Sequence, residues 1–277
     1  MKQAAFCDGE RVCALGMGAW MIGERGQRRK EEIAALRAGL DLGLKLIDTA
    51  EMYGEGASED LIAEAISGRR DEAFLVSKVY PHNASAAGVV AACERSLKRL
   101  RTDRIDLYLL HWRGAVPLGE TIAGFERLRK AGKIRRWGVS NFDSDDLDEL
   151  VSAPGGEAVA TNQILYNLTR RGVEWDVLPW ARRHGIPVMA YSPIEQGRLV
   201  REPGLIDCAR EHGCTPAQLA LAFVLDRDGV IAIPKAANPR HVQENVAALD
   251  IAITPAIREA LDALFAPPRG PSTLQML

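Results

Sequence analysis

Short apolar runs alternate with amphipathic segments along the whole chain. Eight of these runs have the length and apolar character of buried strands, and the stretches between them show the three-to-four residue spacing of helices. Strands that alternate with helices predict parallel pairing, because a parallel pair needs a crossover connection. The eight predicted strands are residues 12–17, 45–48, 73–78, 105–111, 133–140, 159–163, 187–192 and 230–235.

Two α/β architectures fit this alternation: a closed eight-stranded barrel and a doubly wound open sheet. A chain of 277 residues matches the roughly 250 that eight strand–helix units need. An open dinucleotide-binding sheet would carry a third glycine where Met21 follows Gly16 and Gly18, so we interpret these glycines as turn residues. The sequence predicts a single-domain (β/α)8 TIM barrel over residues 1–277, with an irregular tail from about residue 266. Asp8-Gly9 between two short apolar runs predicts a β-hairpin, which we place at the bottom of the barrel.

Charge and cysteine usage narrow the class of protein. The formal net charge of −2 gives no reason to expect a nucleic-acid partner or an anionic membrane surface. The five cysteines show no Cys-x-x-Cys spacing, so we expect reduced thiols, and we expect no metal. The first dozen residues lack an apolar secretion signal, and no apolar run is long enough to span a bilayer. We therefore expect a cytoplasmic protein that is a monomer or a weak homo-oligomer.

Polar side chains end seven consecutive predicted strands. In a barrel, the carboxyl ends of all strands lie on one face, which is the face that carries catalytic groups. Leaving so many charged groups buried and unpaired would be costly, so we interpret them as a functional site. They are Asp48, Lys78, His111, Ser140-Asn141, Gln163, Tyr191-Ser192 and Lys235.

Tyr53, in a glycine-flanked loop after Asp48, gives this set a proton donor. A free phenol titrates near ~10, and a neighbouring cation lowers that pKa. We expect Lys78 to be that cation, Asp48 to hold its ammonium, and His111 to orient a carbonyl oxygen. The phenol, the ammonium and the imidazole would together stabilise the alkoxide that forms when hydride reaches a carbonyl carbon.

No side chain donates hydride, so this chemistry needs a cofactor. Ser140, Asn141 and Gln163 are suited to a carboxamide, and Tyr191 to stacking on a flat ring. Lys235 precedes a helix start at Asn238-Pro239, where a phosphate would bind well. Taken singly, each residue also has an ordinary interpretation, such as a helix cap for Ser140 or an ion-pair partner for Lys78; their joint occurrence favours the site.

Several motifs together resemble the aldo-keto reductase family over almost the whole chain. They are Leu46-Ile-Asp48-Thr-Ala-Glu-Met-Tyr53-Gly, Ser77-Lys78, Leu109-Leu-His111-Trp112, Gly138-Val-Ser140-Asn141-Phe142, Asn162-Gln163, and Ile233-Pro234-Lys235 to Glu244-Asn245. The chain looks closest to bacterial members associated with methylglyoxal reduction.

The resemblance implies NADPH-dependent reduction of small aldehydes or ketones, with Asp48, Tyr53, Lys78 and His111 as the catalytic tetrad. By position, Trp20 and Trp112 would be walls of the substrate pocket. The cofactor set would be Ser140, Asn141, Gln163, Tyr191, Ser192, Lys235, Arg240, His241, Glu244 and Asn245.

One position departs from the family pattern in a way that concerns the cofactor. His241 stands where the family arginine for the 2′-phosphate usually lies, with Arg240 one place earlier. We therefore expect NADPH but allow NADH. Two alternatives stay open: a nicotinamide-binding regulatory or scaffold subunit with little turnover, and a barrel isomerase or lyase without nicotinamide.

Overall fold

Eight parallel strands lie side by side in the order in which they occur along the chain. The protein is described by a computed structural model that covers residues 1–277. The last strand returns to the first: Gly16 N–H donates to the carbonyl of Ala232 at 2.8 Å, and Gly18 N–H to that of Pro234 at 3.0 Å. The sheet is thereby closed, which confirms the predicted barrel. Its strands are β3 (Met17–Gly18), β4 (Leu46–Asp48), β5 (Phe74–Val79), β6 (Ile105–Leu110), β7 (Ile134–Ser140), β8 (Asn162–Leu165), β9 (Val188–Tyr191) and β10 (Val230–Ala232).

Ten helices surround the barrel, and neighbours in sequence pack on one another around much of the ring. Ser85, Thr215, Asn238 and Thr254 cap four of them, each accepting a backbone N–H, and Thr215 forms a full capping box with Gln218. The helices are α1 (Arg29–Asp41), α2 (Ala57–Ala65), α3 (Ala86–Leu100), α4 (Leu118–Lys130), α5 (Ser144–Ser152), α6 (Val177–His184), α7 (Pro203–Glu211), α8 (Pro216–Leu225), α9 (Pro239–Ala247) and α10 (Pro255–Leu264).

The N-terminal residues form the predicted hairpin. β1 (Gln3–Ala5) pairs antiparallel with β2 (Arg11–Cys13), and Gly9 makes the turn with φ of 86°. Phe6 packs with Phe74, at the start of β5, in the apolar cluster that fills the barrel interior. The hairpin therefore covers the amino ends of the strands and leaves the opposite rim open.

The predicted first strand, residues 12–17, was wrong as a single element. Arg11–Cys13 belongs to the hairpin, and the barrel strand β3 is only Met17–Gly18. An apolar run can continue from one element into the next when both are buried, so periodicity alone does not show where pairing changes.

Gly18 allows the closest approach at the closure of the barrel, and its replacement gives a testable prediction. A Cβ on Gly18 would lie 2.6 Å from the backbone oxygen of Ile233. We expect Gly18→Ala to lower the free energy of unfolding by about 1–3 kcal/mol in urea titrations, because the strands must separate. Gly119→Ala is the matched control, since that position in α4 has open space and should be neutral or stabilised. Equal stability of Gly18→Ala and wild type would contradict this account.

No helix combines the length and apolar character needed to cross a membrane. All five cysteines are free thiols, and no group of three or more His, Cys, Asp or Glu side chains is arranged as a metal site.

Candidate active site

Lys78 is the centre of a buried polar cluster at the open rim. Its side chain is 0% exposed, and its ammonium donates to Asp48 Oδ2 at 2.8 Å and to the Thr49 carbonyl at 2.8 Å. The third contact is Tyr53 Oη at 3.2 Å. Gln163 supports the cluster from the far side of the barrel by donating to Asp48 Oδ1 at 2.7 Å. Side chains from three separate segments of the chain therefore form one connected network: Asp48 with Tyr53, Lys78, and Gln163.

The strand register explains this convergence. Asp48 is the last residue of β4, and β5, which carries Lys78, runs parallel beside it. The side chains of Asp48 and Lys78 therefore reach the same rim. Tyr53 follows in a tight turn, in which Gly54 and Glu55 adopt left-handed φ values of 55° and 53°. That turn folds the phenol back over Lys78, whose ammonium lies 4.8 Å from the ring centroid.

The pKa of Tyr53 is raised overall, although Lys78 acts on it in the expected direction and lowers it. Burial raises the pKa of the phenol and outweighs the opposing charge of Lys78, while Asp48 raises it further. Burial also disfavours the ammonium of Lys78, but Asp48 and Tyr53 outweigh that effect and raise the pKa of Lys78. Both groups are therefore protonated at neutral pH.

His111 is a neutral imidazole beside the phenol. It follows β6, its ring centroid lies 5.9 Å from that of Tyr53, and its Nδ1 is buried without a hydrogen-bond partner. Burial, with a smaller contribution from Lys78, lowers the pKa of His111 to about 2. The side chain therefore has hydrogen-bonding capacity that nothing in the protein uses.

The lowered pKa of His111 predicts a pH dependence of stability. Unfolded histidine binds a proton below about pH 6.5, whereas the folded state binds none until about pH 2, so stability falls as the pH drops through this window. The contribution is about 1.4 kcal/mol per pH unit. We expect the free energy of unfolding of His111→Asn, measured by urea titration, to fall less steeply than that of wild type as the pH is lowered from about 6 to about 4. An unchanged slope would mean that His111 is protonated in the folded protein.

Asn141 connects three other predicted residues. It has a left-handed φ of 59°, its amide donates to the His111 carbonyl at 3.1 Å and to Ser140 Oγ at 3.2 Å, and it accepts from Tyr191 Oη at 2.9 Å. Ser140 donates to the Gln163 backbone carbonyl at 2.9 Å. Asp143 caps α5, so the alternative of Ser140 as a helix cap was wrong.

Lys235 lies beyond the end of β10, next to Gly18 of the first strand. Arg240, in α9, faces Glu244 at 3.4 Å and is largely exposed. His241 contacts the Asn238 side chain at 3.2 Å, and Asn245 is half-buried one turn further on. Lys235 is the predicted cofactor cation that lies nearest to the barrel mouth.

Aromatic side chains form one side of the mouth. Trp112 packs edge-on against Tyr80 with ring centroids 6.0 Å apart, and Tyr80 stacks on His82 at 4.6 Å. Trp20 is 41% exposed. Tyr80 was not predicted as a site residue; its signal was the two-residue alternation after Lys78, which places both side chains on one side of the chain.

The loop after Tyr191 is a second feature of the rim that was not predicted. Ser192, Glu195 and Gln196 adopt left-handed φ values of 48°, 50° and 54°. The Glu195 carboxylate is buried and accepts from Asn167 at 2.6 Å and from Arg170 at 2.9 Å. A satisfied buried carboxylate of this kind holds a strained loop in one conformation. No motif marks it, because its partners come from separate segments.

The family model described as the Aldo/keto reductase family matches residues 14–265. The chain belongs to the aldo/keto reductase family. The resemblance carried by the motifs is thereby confirmed, and the rim described above is the candidate active site of an aldo/keto reductase.

Curated relatives and solved structures agree with this assignment. The chain is 48% identical over 282 residues to methylglyoxal reductase YeaE of Escherichia coli, covering 100% of this chain and 99% of the relative. It is 31% identical over 259 residues to methylglyoxal reductase DkgB of Salmonella typhimurium, covering 91% and 93%. An aldo-keto reductase from Klebsiella pneumoniae, solved in complex with NADPH, superposes with a TM-score of 0.97 at 49% identity and 100% coverage of both chains.

Proposed function

We propose that this protein reduces small aldehydes or ketones to alcohols with NADPH, and that Tyr53 donates the proton. The observation that carries the proposal is the contact of Lys78 Nζ with Tyr53 Oη at 3.2 Å and with Asp48 at 2.8 Å, at the open rim of the barrel. A phenol beside a buried ammonium is an unusual arrangement to maintain for stability alone, because burying the pair costs several kcal/mol unless its geometry is good.

The residues at the rim fit a nicotinamide dinucleotide. The side-chain oxygen of Gln163 accepts no hydrogen bond from the protein, and its amide is fixed by Asp48, so it is an oriented acceptor for a carboxamide. Tyr191 is half-buried, with its hydroxyl held by Asn141, which leaves a ring for stacking. Lys235 supplies a cation for phosphate, and the strained loop at Ser192 lies between these two positions in sequence.

When bound, the reduced nicotinamide supplies a hydride to the carbonyl carbon. Tyr53 donates its proton to the carbonyl oxygen, and Lys78 donates a hydrogen bond to the phenolic oxygen, where it stabilises the negative charge left behind. Asp48 keeps the ammonium charged and in place. His111 is neutral and unpaired, so it is available to orient the carbonyl oxygen.

The aromatic mouth favours small substrates that can make apolar contacts. Trp112 and Tyr80 present flat aromatic surfaces there, and Trp20 is exposed. We therefore propose small aldehydes, including 2-oxoaldehydes such as the methylglyoxal named for the Escherichia coli relative. The single-domain organisation, the monomeric or weakly associated state and the cytoplasmic location stay predictions.

A panel of aldehydes and ketones, assayed with NADPH and NADH in parallel, tests the function. We expect loss of NADPH absorbance that depends on the carbonyl compound and is fastest with small aldehydes. Tight NADPH binding without turnover across the panel would favour the scaffold alternative. Absence of NADPH binding by fluorescence or thermal shift would favour a barrel enzyme that works without nicotinamide.

A further inference from the structure

The loop between β3 and α1, residues 19–28, leaves the barrel directly beside Lys235. Gly18 is paired with Lys235 across the closure of the sheet, so the loop starts next to that lysine. Further along, Gly23 N–H donates at 3.0 Å to the buried carboxylate of Glu32, which fixes the loop to α1. Helix α1 in turn packs against α9, the helix that follows Lys235. The loop and the segment that leads into α9 therefore start side by side at the rim.

This loop carries two arginines, of which one has no ion pair and the other only a long, exposed one. Arg25 makes no ion pair, and the nearest carboxylate to Arg28 is that of Glu31 at 3.9 Å, with both side chains exposed. The two charges reach Lys235: partial burial, then Arg28, and to a lesser degree Arg25, lower the pKa of Lys235, while Glu32 and Glu24 act in the opposite direction. Like charges in one place are unfavourable unless an anion joins them.

Arg240 of helix α9 is not among the charges that act most strongly on Lys235. Arg240 is directed to Glu244 at 3.4 Å on the exposed surface of the helix. The Asn238 side chain caps the helix by accepting from His241 N–H at 2.9 Å, and it also contacts the His241 ring. The positive charge around Lys235 therefore comes from the β3–α1 loop and not from α9.

We propose that Arg28, assisted by Arg25, forms with Lys235 the binding site for the 2′-phosphate of NADPH, and that this arrangement sets the preference for NADPH over NADH. The inference rests on the proposed use of a nicotinamide dinucleotide. The 2′-phosphate is the one group that distinguishes the two cofactors, and it carries close to two negative charges. A guanidinium binds such a group with paired hydrogen bonds, which a lone lysine cannot provide.

Binding of adenine nucleotides tests this inference without turnover. Calorimetry would compare 2′,5′-ADP, which carries the 2′-phosphate, with 5′-AMP, which lacks it. We expect Arg28→Gln to weaken the binding of 2′,5′-ADP about tenfold or more, as the loss of a charged hydrogen bond would. The affinity for 5′-AMP should change less than about twofold. Arg25→Gln should have a smaller effect in the same direction, and Arg28→Lys should retain part of the affinity. In steady-state assays the change should lie in KM for NADPH and not in kcat.

Lys30→Gln is the matched control, because it removes one positive charge from an exposed position nearby. It should leave the ratio of the two affinities unchanged. If Arg28→Gln weakened the binding of both nucleotides equally, Arg28 would contact a part of the nucleotide that the two share. If it weakened the binding of neither, Arg28 would lie outside the site. Either result overturns the inference. Wild-type protein that fails to prefer 2′,5′-ADP overturns it as well. Failure of the proposed function is separate: it would appear as a wild type that binds 2′,5′-ADP but reduces no carbonyl compound.

Discussion

Tyr53→Phe is expected to abolish carbonyl reduction while leaving the fold and cofactor binding intact. The substitution removes only the hydroxyl, which contacts Lys78 at 3.2 Å, and keeps the ring that lies over the ammonium at 4.8 Å. A positioned general acid contributes about 10²–10⁴-fold to the rate, so kcat should fall by that factor. No other hydroxyl contacts Lys78. The pKa of His111 is lowered to about 2, so its imidazole is neutral at neutral pH and cannot replace Tyr53 as the acid.

The measurement is the carbonyl-dependent loss of NADPH absorbance, together with NADPH titration by protein fluorescence. Tyr80→Phe is the matched control, because it also removes a phenolic hydroxyl at the rim, yet that hydroxyl contacts none of the cluster around Lys78. It should change kcat less than about threefold, as expected for a wall residue that makes no bond to the reacting atoms. A Tyr53→Phe protein with wild-type turnover would show that the proton comes from elsewhere.

Lys78→Met is expected to cause the largest loss of stability among single changes at the rim. Asp48 Oδ2 and the Thr49 carbonyl both accept from the ammonium at 2.8 Å, and both lie in a buried region. Removing one partner of a buried ion pair leaves the other charge uncompensated, which costs about 3–5 kcal/mol. The free energy of unfolding from urea titrations should fall by that amount.

The double variant Asp48→Asn with Lys78→Met separates charge from packing. It removes both charges, so it should recover much of the loss, and the coupling between the two positions should be clearly non-additive. Lys30→Met, at an exposed position, controls for the loss of a lysine as such. A Lys78→Met protein within about 1 kcal/mol of wild type would mean that water reaches Asp48, and that the pair is not as enclosed as the contacts indicate.

Much of the site followed from the sequence because strand ends converge in a barrel. Asp48, Lys78 and His111 each follow an apolar run, and parallel pairing brings the carboxyl ends of those runs to one rim whatever the details of packing. Tyr53 was predictable because a glycine-flanked turn after Asp48 keeps it close to that strand. The hairpin was visible in the Asp8-Gly9 turn, and the start of α9 in the Asn238-Pro239 pair.

The pKa values at the site could not be predicted, because they depend on how deeply each group is buried, and sequence patterns do not measure burial. The raised pKa of Tyr53 is such a case, since the charge of Lys78 was foreseen but the larger effect of burial was not. Glu195 and Arg28 could not be predicted for a different reason, because their partners lie on other segments of the chain. A run of arginines at the start of a helix gives no sign that Lys235 lies nearby.

Because Gly18 pairs with Lys235, the barrel of a growing chain can close only after its last strand has been synthesised. All four groups of the rim cluster and His111 are made by the time β8 is synthesised, whereas Lys235 and the strand that seals β3 are made near the end. A ribosome-bound or prematurely terminated chain would hold the reacting groups beside an open edge with no phosphate anchor. Competence to hold the nucleotide should therefore appear abruptly, only when translation has passed the last barrel strand.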